Sequence, residues 1–168
     1  MIGRPFFHWR KKPLPTSWWE LSDSSFRSAR FDVTAVLLDT DVCIFLMRGE
    51  HPTLAAHAQS IPLQQQVTSA VTFAKLTYGV QASASAKRKQ NQAVLDSLAL
   101  QQAALDWPQE AAQHYAEIRL DLKKRGAQLG AADLMIAAHA RVLGATVVTN
   151  NVKDFSRVRR LNVENWAG

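Results

Sequence analysis

The chain has a single cysteine, Cys43, among 168 residues. That excludes an internal disulfide and fits a reducing cytosol. No apolar run approaches the roughly 18 residues that a membrane helix requires. The basic start, Met1 to Lys12, leads into Pro13, Pro15 and polar residues instead of the apolar centre of a secretory signal, so the expected location is cytoplasmic, with no membrane partner. Internal repeats are absent, and the glutamine runs at 64–66 and 101–102 are too short to count as low complexity. Acidic residues are in deficit, 14 against 20 Lys and Arg, for a net charge of +6. Such a balance favours polyanion partners without dictating a fold. Half of the excess lies in residues 1–34, with six Lys or Arg against three Asp or Glu; residues 35–168 hold 14 against 11. Nucleic acid is therefore suggested and not demanded.

Hydrophobic residues at 47% and charged residues at 20% give a globular balance, and the length suits one domain with a substantial core. Residues 1–34 hold three of the five tryptophans and no sustained period. They are expected to be a poorly ordered extension. A start codon set too far upstream would explain them, with Val36 the true first residue if its codon is GTG; an intact N-terminus at Met1 in the native protein, seen by mass spectrometry, would contradict this. From Ala35 strands and helices alternate. Strands are expected at 35–38, 66–69, 104–106, 145–149 and 162–164. Helices are expected at 42–48, from Pro52, at 71–86 and 88–101 with a hinge near Lys87, at 108–125, at 131–143 and briefly at 152–155. The clearest is 108–125, where Ala111, Tyr115, Ile118 and Leu122 recur at helical spacing, basic residues close the last turn and Gly126 comes next. Alternation of this kind implies a parallel sheet.

Parallel sheets place their sites beyond the carboxyl ends of the strands. That rule selects Asp39 and Asp41 after the first strand, and Asn150, Asn151 and Asp154 after the fourth. Asp133, at the start of a helix just past Gly130, returns toward the same edge. Oxygen ligands converging there suit hard divalent cations such as magnesium or manganese, which polarise a phosphoryl oxygen and sharpen a bound water. A lone Asp after a strand is ordinarily a turn or helix cap; three such residues meeting at one edge weigh against that reading. Arg157, Arg159 and Arg160 lie near this edge in sequence and are the favoured contacts for nucleic-acid phosphates, ahead of Lys87–Lys89 and Lys123–Arg125. His139, inside an apolar helix, is read as structural, Cys43 as a small core residue, and Trp107 and Trp166 as packing at the rim.

The motifs resemble those of PIN-domain ribonuclease toxins of the VapC family. Residues 37–44 (LLDTDVCI) look like the opening of that family, 130–140 (GAADLMIAAHA) like its third acidic motif, and 144–151 (GATVVTNN) with Asp154-Phe155 like its last. The ending at 161–166 (LNVENW) is also similar. The likeness runs from Val36 to Trp166, with every motif in order. The resemblance implies a three-layer α/β fold with a small, mostly parallel central sheet flanked by helices. It implies a magnesium- or manganese-dependent endoribonuclease, the toxin of a type II toxin–antitoxin pair, commonly homodimeric and silenced by a VapB-type antitoxin. Toxins of this kind often cut tRNA, although no residue here specifies that target. Asp39 would be the first metal ligand, Asp133 the third acidic residue and Asn151 the fourth position; Thr149 would orient the site by hydrogen bonding.

One motif departs. Residues 68–80 (TSAVTFAKLTYGV) resemble the family's second segment, yet Lys75 stands where the family carries Glu and Thr77 where it usually carries Arg. No register shift restores the carboxylate, because residues 51–95 contain no Asp or Glu. Weakened metal binding and activity are the expectation, with Lys75 neutralising Asp39 and Asp133 or swinging away to leave a poorer site aided by Asp41. Two alternatives stand beside this. The chain is a catalytically dead PIN domain that still binds antitoxin or RNA, or, less well supported, a haloacid-dehalogenase-like phosphatase with Asp39 as nucleophile. The latter lacks an adjacent acidic pair downstream.

Overall fold

Three residues form the first strand, β1 (Val36–Leu38), and all three are buried. A computed structural model describes residues 35–167; the extension expected over 1–34 lies outside that range. β1 leads into α1 (Thr40–Arg48) and α2 (Pro52–Ser60). A 3-10 turn at Leu63–Gln65 then enters β2 (Gln66–Ser69). The hairpin α3 (Ala70–Ala82) and α4 (Ser85–Gln101) comes next, then β3 (Ala103–Leu105). α5 (Ala111–Lys124) and α6 (Ala131–Leu143) precede β4 (Thr146–Val148), α7 (Val152–Phe155) and β5 (Val163–Glu164). The sheet order is β3-β2-β1-β4-β5, and every pairing is parallel.

Period-two alternation decides how this sheet is covered. Val36, Leu38 and Val148 enter one cluster with Val42 and Cys43 of α1, Leu54 and Ala58 of α2, Leu76 and Val80 of α3, and Leu95 and Leu98 of α4. Leu37 and Val147, one residue out of phase, face the other way and are equally buried. Both faces are therefore clad, the second by α5 and α6, which pack on each other while α6 rests on β4. This is the three-layer arrangement expected. Each fully buried Leu or Val contributes about 1.5–3 kcal/mol.

The break between α3 and α4 lies at Ser83–Ala84 and not at Lys87. The Ser83 hydroxyl donates to the Val80 carbonyl at 2.6 Å, and Ala84 turns extended, at ψ 141°. Lys87 already sits in the first turn of α4, its N–H donating to Ala84. α5 begins at Ala111, after a turn at 108–110, so Glu110 flanks the helix and does not occupy its first turn. Trp166 is buried and stacks on His57 with ring centroids 4.7 Å apart, and the Trp107 indole donates to the Met135 carbonyl at 3.0 Å.

Candidate active site

Strand order fixes where a site can form. From β1 the chain steps outward to β2 and β3, then returns to the other side of β1 for β4. β1 and β4 are thus neighbours whose succeeding loops diverge, and the crevice beyond their carboxyl ends is the switch point where such sheets place ligands. Asp39 ends β1 and Thr149 ends β4.

Asp39 is buried, 4% exposed, and caps α1. Its Oδ1 accepts the Thr40 N–H at 2.6 Å, and its Oδ2 accepts the Thr149 hydroxyl at 2.9 Å. Thr149 Oγ1 in turn accepts the Asn151 N–H at 3.0 Å. One hydroxyl thus ties the carboxylate that follows β1 to the loop entering α7. Asp41 is spent differently. Its Oδ1 accepts the Val42 N–H at 2.7 Å and its Oδ2 the Asn150 N–H at 2.9 Å, so it clamps the two diverging loops together. Burial, and then the charge of Asp39, raise the Asp41 carboxyl above its ordinary value.

Asp133 comes from α6, in its first turn, where the helix dipole favours an anion. α3 crosses between. Its Lys75 Nζ lies 2.8 Å from Asp133 Oδ1 and 4.0 Å from Asp39 Oδ1. The fold therefore brings Asp39, Asp133, Thr149 and the backbone of Asn151 into one connected set, with Lys75 at its centre. Asp154 stands aside, paired with Arg157 at 3.3 Å.

The three arginines are not equivalent. Arg157 is half-buried; besides Asp154 it reaches the Gln128 carbonyl at 3.5 Å, and its own carbonyl accepts from Arg125 at 2.6 Å. Arg159 pairs with Asp121 of α5 at 3.2 Å, and its carbonyl accepts from Arg141. Arg159 and Arg160 are exposed, and Arg160 adopts a left-handed φ of 57°.

Sequence reasoning missed Ser69. Its hydroxyl caps α3 by accepting the Val71 N–H at 3.2 Å and lies 3.0 Å from His139 Nδ1. With one proton and a second lone pair left beside the Val71 bond, that oxygen can meet either tautomer of the neutral ring. Burial holds the His139 ring neutral, its pKa lowered to about 4. A serine immediately before a helical pattern was the available signal; the partner 70 residues away was not. Cys43 is fully buried, and burial raises its thiol far above its usual value, so it is inert.

A divalent cation needs oxygen donors free of competing positive charge. Among the described residues no group of three or more His, Cys, Asp or Glu side chains is arranged to hold one, and the two carboxylates that converge already hold an ammonium. With Lys75 in this position the residues present do not fit the metal that their acidic partners alone would suit.

Comparison with known proteins agrees with this architecture. The family model described as PIN domain matches residues 36–161. The chain is 34% identical over 131 residues to a ribonuclease VapC2 of Rickettsia felis, covering 77% of this chain and 96% of that protein. It is 35% identical over 131 residues to a tRNA(fMet)-specific endonuclease VapC of Shigella flexneri, covering 78% and 97%. Among solved structures, VapBC2 from Rickettsia felis bound to a DNA fragment from its promoter aligns with a TM-score of 0.73 at 31% identity, over 79% of this chain and 99% of that one.

Proposed function

This chain belongs to the PIN-domain family, and from that membership we propose that it is a VapC-type toxin, an endoribonuclease of a type II toxin–antitoxin pair whose activity Lys75 weakens. The observation that carries the reading is the meeting of Asp39 and Asp133, 94 positions apart, on a single point at the carboxyl edge of the sheet: both lie within ion-pairing distance of one ammonium. Magnesium or manganese is the cation suited to such ligands. With Lys75 withdrawn, Asp39, Asp133 and the Asn151 amide are the candidate donors, with Asp41 and Asp154 beside them. Arg159 and Arg160, exposed in the segment that leads into β5, are the candidate contacts for RNA phosphates. tRNA is the first substrate to assay, because a relative bears the name tRNA(fMet)-specific endonuclease. A VapB-type antitoxin is the proposed partner, since solved relatives are VapBC complexes. A homodimer is the proposed assembly.

The test is cleavage of tRNA in manganese buffer by the wild type, Lys75→Glu and Lys75→Glu/Asp39→Asn. Expected are weak cutting by the first, at least about tenfold faster cutting by the second, since reversing one charge beside a cation is worth several kcal/mol, and none by the third. Equal rates in the first two would defeat the role given to Lys75. The ion pair at 2.8 Å also favours a second reading, a dead toxin that retains antitoxin or RNA binding; no cleavage by the wild type together with retained binding distinguishes it.

A further inference from the structure

We propose that Lys75 is the resident cation of this site: its ammonium does for Asp39 and Asp133 what a divalent ion would do, so the chain's acidic cluster is complete without metal and takes up Mn2+ or Mg2+ only feebly. The inference rests on reading Asp39 and Asp133 as the ligand pair of the nuclease, and it concerns ion binding and integrity, not cleavage.

The geometry points to this role in three ways. First, Lys75 is seated. It lies on α3 among residues that anchor that helix to the core: Thr72, one turn before it, is fully buried, and Leu76, next in sequence, is 4% exposed. The Lys75 side chain is only 33% exposed and reaches inward to the carboxylates. Second, its partners need a positive charge. Asp39 is 4% exposed, Asp133 is part-buried, and Asp41 is fixed two residues from Asp39 by the Val42 and Asn150 N–H groups. Like-charged carboxylates gathered out of water destabilise one another unless a cation lies between them. Third, among the described residues no other cation pairs with these two carboxylates. Every other described ion pair involves Arg48, His114, Arg125, Arg141, Arg157 or Arg159, and none of these reaches Asp39 or Asp133.

A tethered ammonium competes with a free ion at very high effective concentration, because its stem keeps it within reach. It also carries one charge where a divalent ion would bring two, and three donors where that ion would take six ligands. The site it makes is a poor one for metal yet cohesive.

The experiment measures metal binding and thermal unfolding of the full chain, wild type, Lys75→Met and Lys75→Glu, in EDTA and with Mn2+ added. The wild type is expected to unfold at the same temperature in both and to leave the electron paramagnetic resonance signal of free Mn2+ unchanged at low-millimolar metal. Lys75→Met should unfold earlier than the wild type in EDTA and recover part of the loss with Mn2+. Lys75→Glu should be the least stable in EDTA and should bind Mn2+ at least about tenfold more tightly than the wild type. Mn2+ binding by the wild type as tight as that of Lys75→Glu, or a Lys75→Met variant as stable as the wild type in EDTA, overturns the proposal. Should the variants fail to fold, the Mn2+ titration of the wild type alone still decides it. The nuclease reading fails separately, by a Lys75→Glu protein that binds Mn2+ and does not cut RNA.

Discussion

At the scale of single residues, Thr149 shows how a small buried side chain governs the site. Its hydroxyl donates to Asp39 and accepts from the Asn151 N–H, and the residue is fully buried. Valine has the same shape and neither function. Thr149→Val leaves one carboxylate lone pair and one N–H without their partner in a dry place, at about 1–3 kcal/mol for each buried group left unsatisfied. The expected outcome is a fall in denaturant midpoint with unchanged m-value; an unchanged midpoint would show that water replaces the hydroxyl. Thr149→Ser keeps the oxygen and should recover most of the loss. Asp41 makes a different prediction. Because both of its oxygens hold backbone N–H groups, Asp41→Asn, which offers one acceptor in place of two, should loosen the junction of the β1 and β4 loops. It should destabilise the fold by about 1–2 kcal/mol in EDTA and in manganese alike. A loss that appears only with metal present would make Asp41 a ligand instead.

At the scale of elements, some features were legible in the sequence and others could not be. The five strands and their parallel sense come from apolar runs alternating with helical periods; β3 is displaced by one residue, and β1, β4 and β5 are one or two residues shorter than expected. Asp39 and Asp133 were legible because a parallel sheet gathers the residues beyond its strand ends at one edge. The α3–α4 break was misplaced because the charge run Lys87–Lys89 looks like punctuation, while the real break is a serine whose hydroxyl competes locally for a carbonyl. The Asp41 clamp was illegible: its two ends are 109 residues apart, and no period encodes them. The same holds for Arg157, whose charge suggested RNA while its contacts run to Asp154 and Gln128. α4 yields its own prediction. Lys87, Arg88 and Lys89 are exposed at its N-terminal end, with no acidic residue in the first turn and no side-chain cap. The helix dipole disfavours cations there by about 0.3–1 kcal/mol each at low salt. Lys87→Glu should therefore raise the unfolding temperature slightly, with the gain shrinking at high salt. A lower temperature at low salt would mean that Lys87 makes a stabilising contact stronger than its repulsion from the dipole.

At the scale of the whole molecule, His139 joins the layers. It sits in α6, which carries Asp133, and meets Ser69 at the cap of α3, which carries Lys75. Stability of the entire fold should register its titration. Its folded pKa is lowered from 6.5 to about 4, so below pH 6.5 the unfolded chain takes up a proton that the folded chain refuses. By linkage, stability then falls as pH drops from 6.5 toward 4 and levels off below, a loss of about 3 kcal/mol over the window. Asp41 acts with the opposite sign. Its raised carboxyl makes the fold lose stability as pH rises from 3.8 toward the folded value, which blunts the acid end of the curve. Asp121, lowered by its bond to Arg125, loses stabilisation in acid as His139 does. A variant separates these contributions. His139→Gln keeps an amide able to meet the Ser69 hydroxyl and removes the titration, while Asp41 and Asp121 are untouched. The difference in unfolding free energy between wild type and His139→Gln, taken from urea midpoints at each pH, should be flat above pH 7. It should move in favour of the variant by about 3 kcal/mol between pH 7 and pH 4. Parallel curves across that range would mean that the imidazole takes up its proton inside the fold without penalty, and that the Ser69–His139 contact accommodates the charged ring.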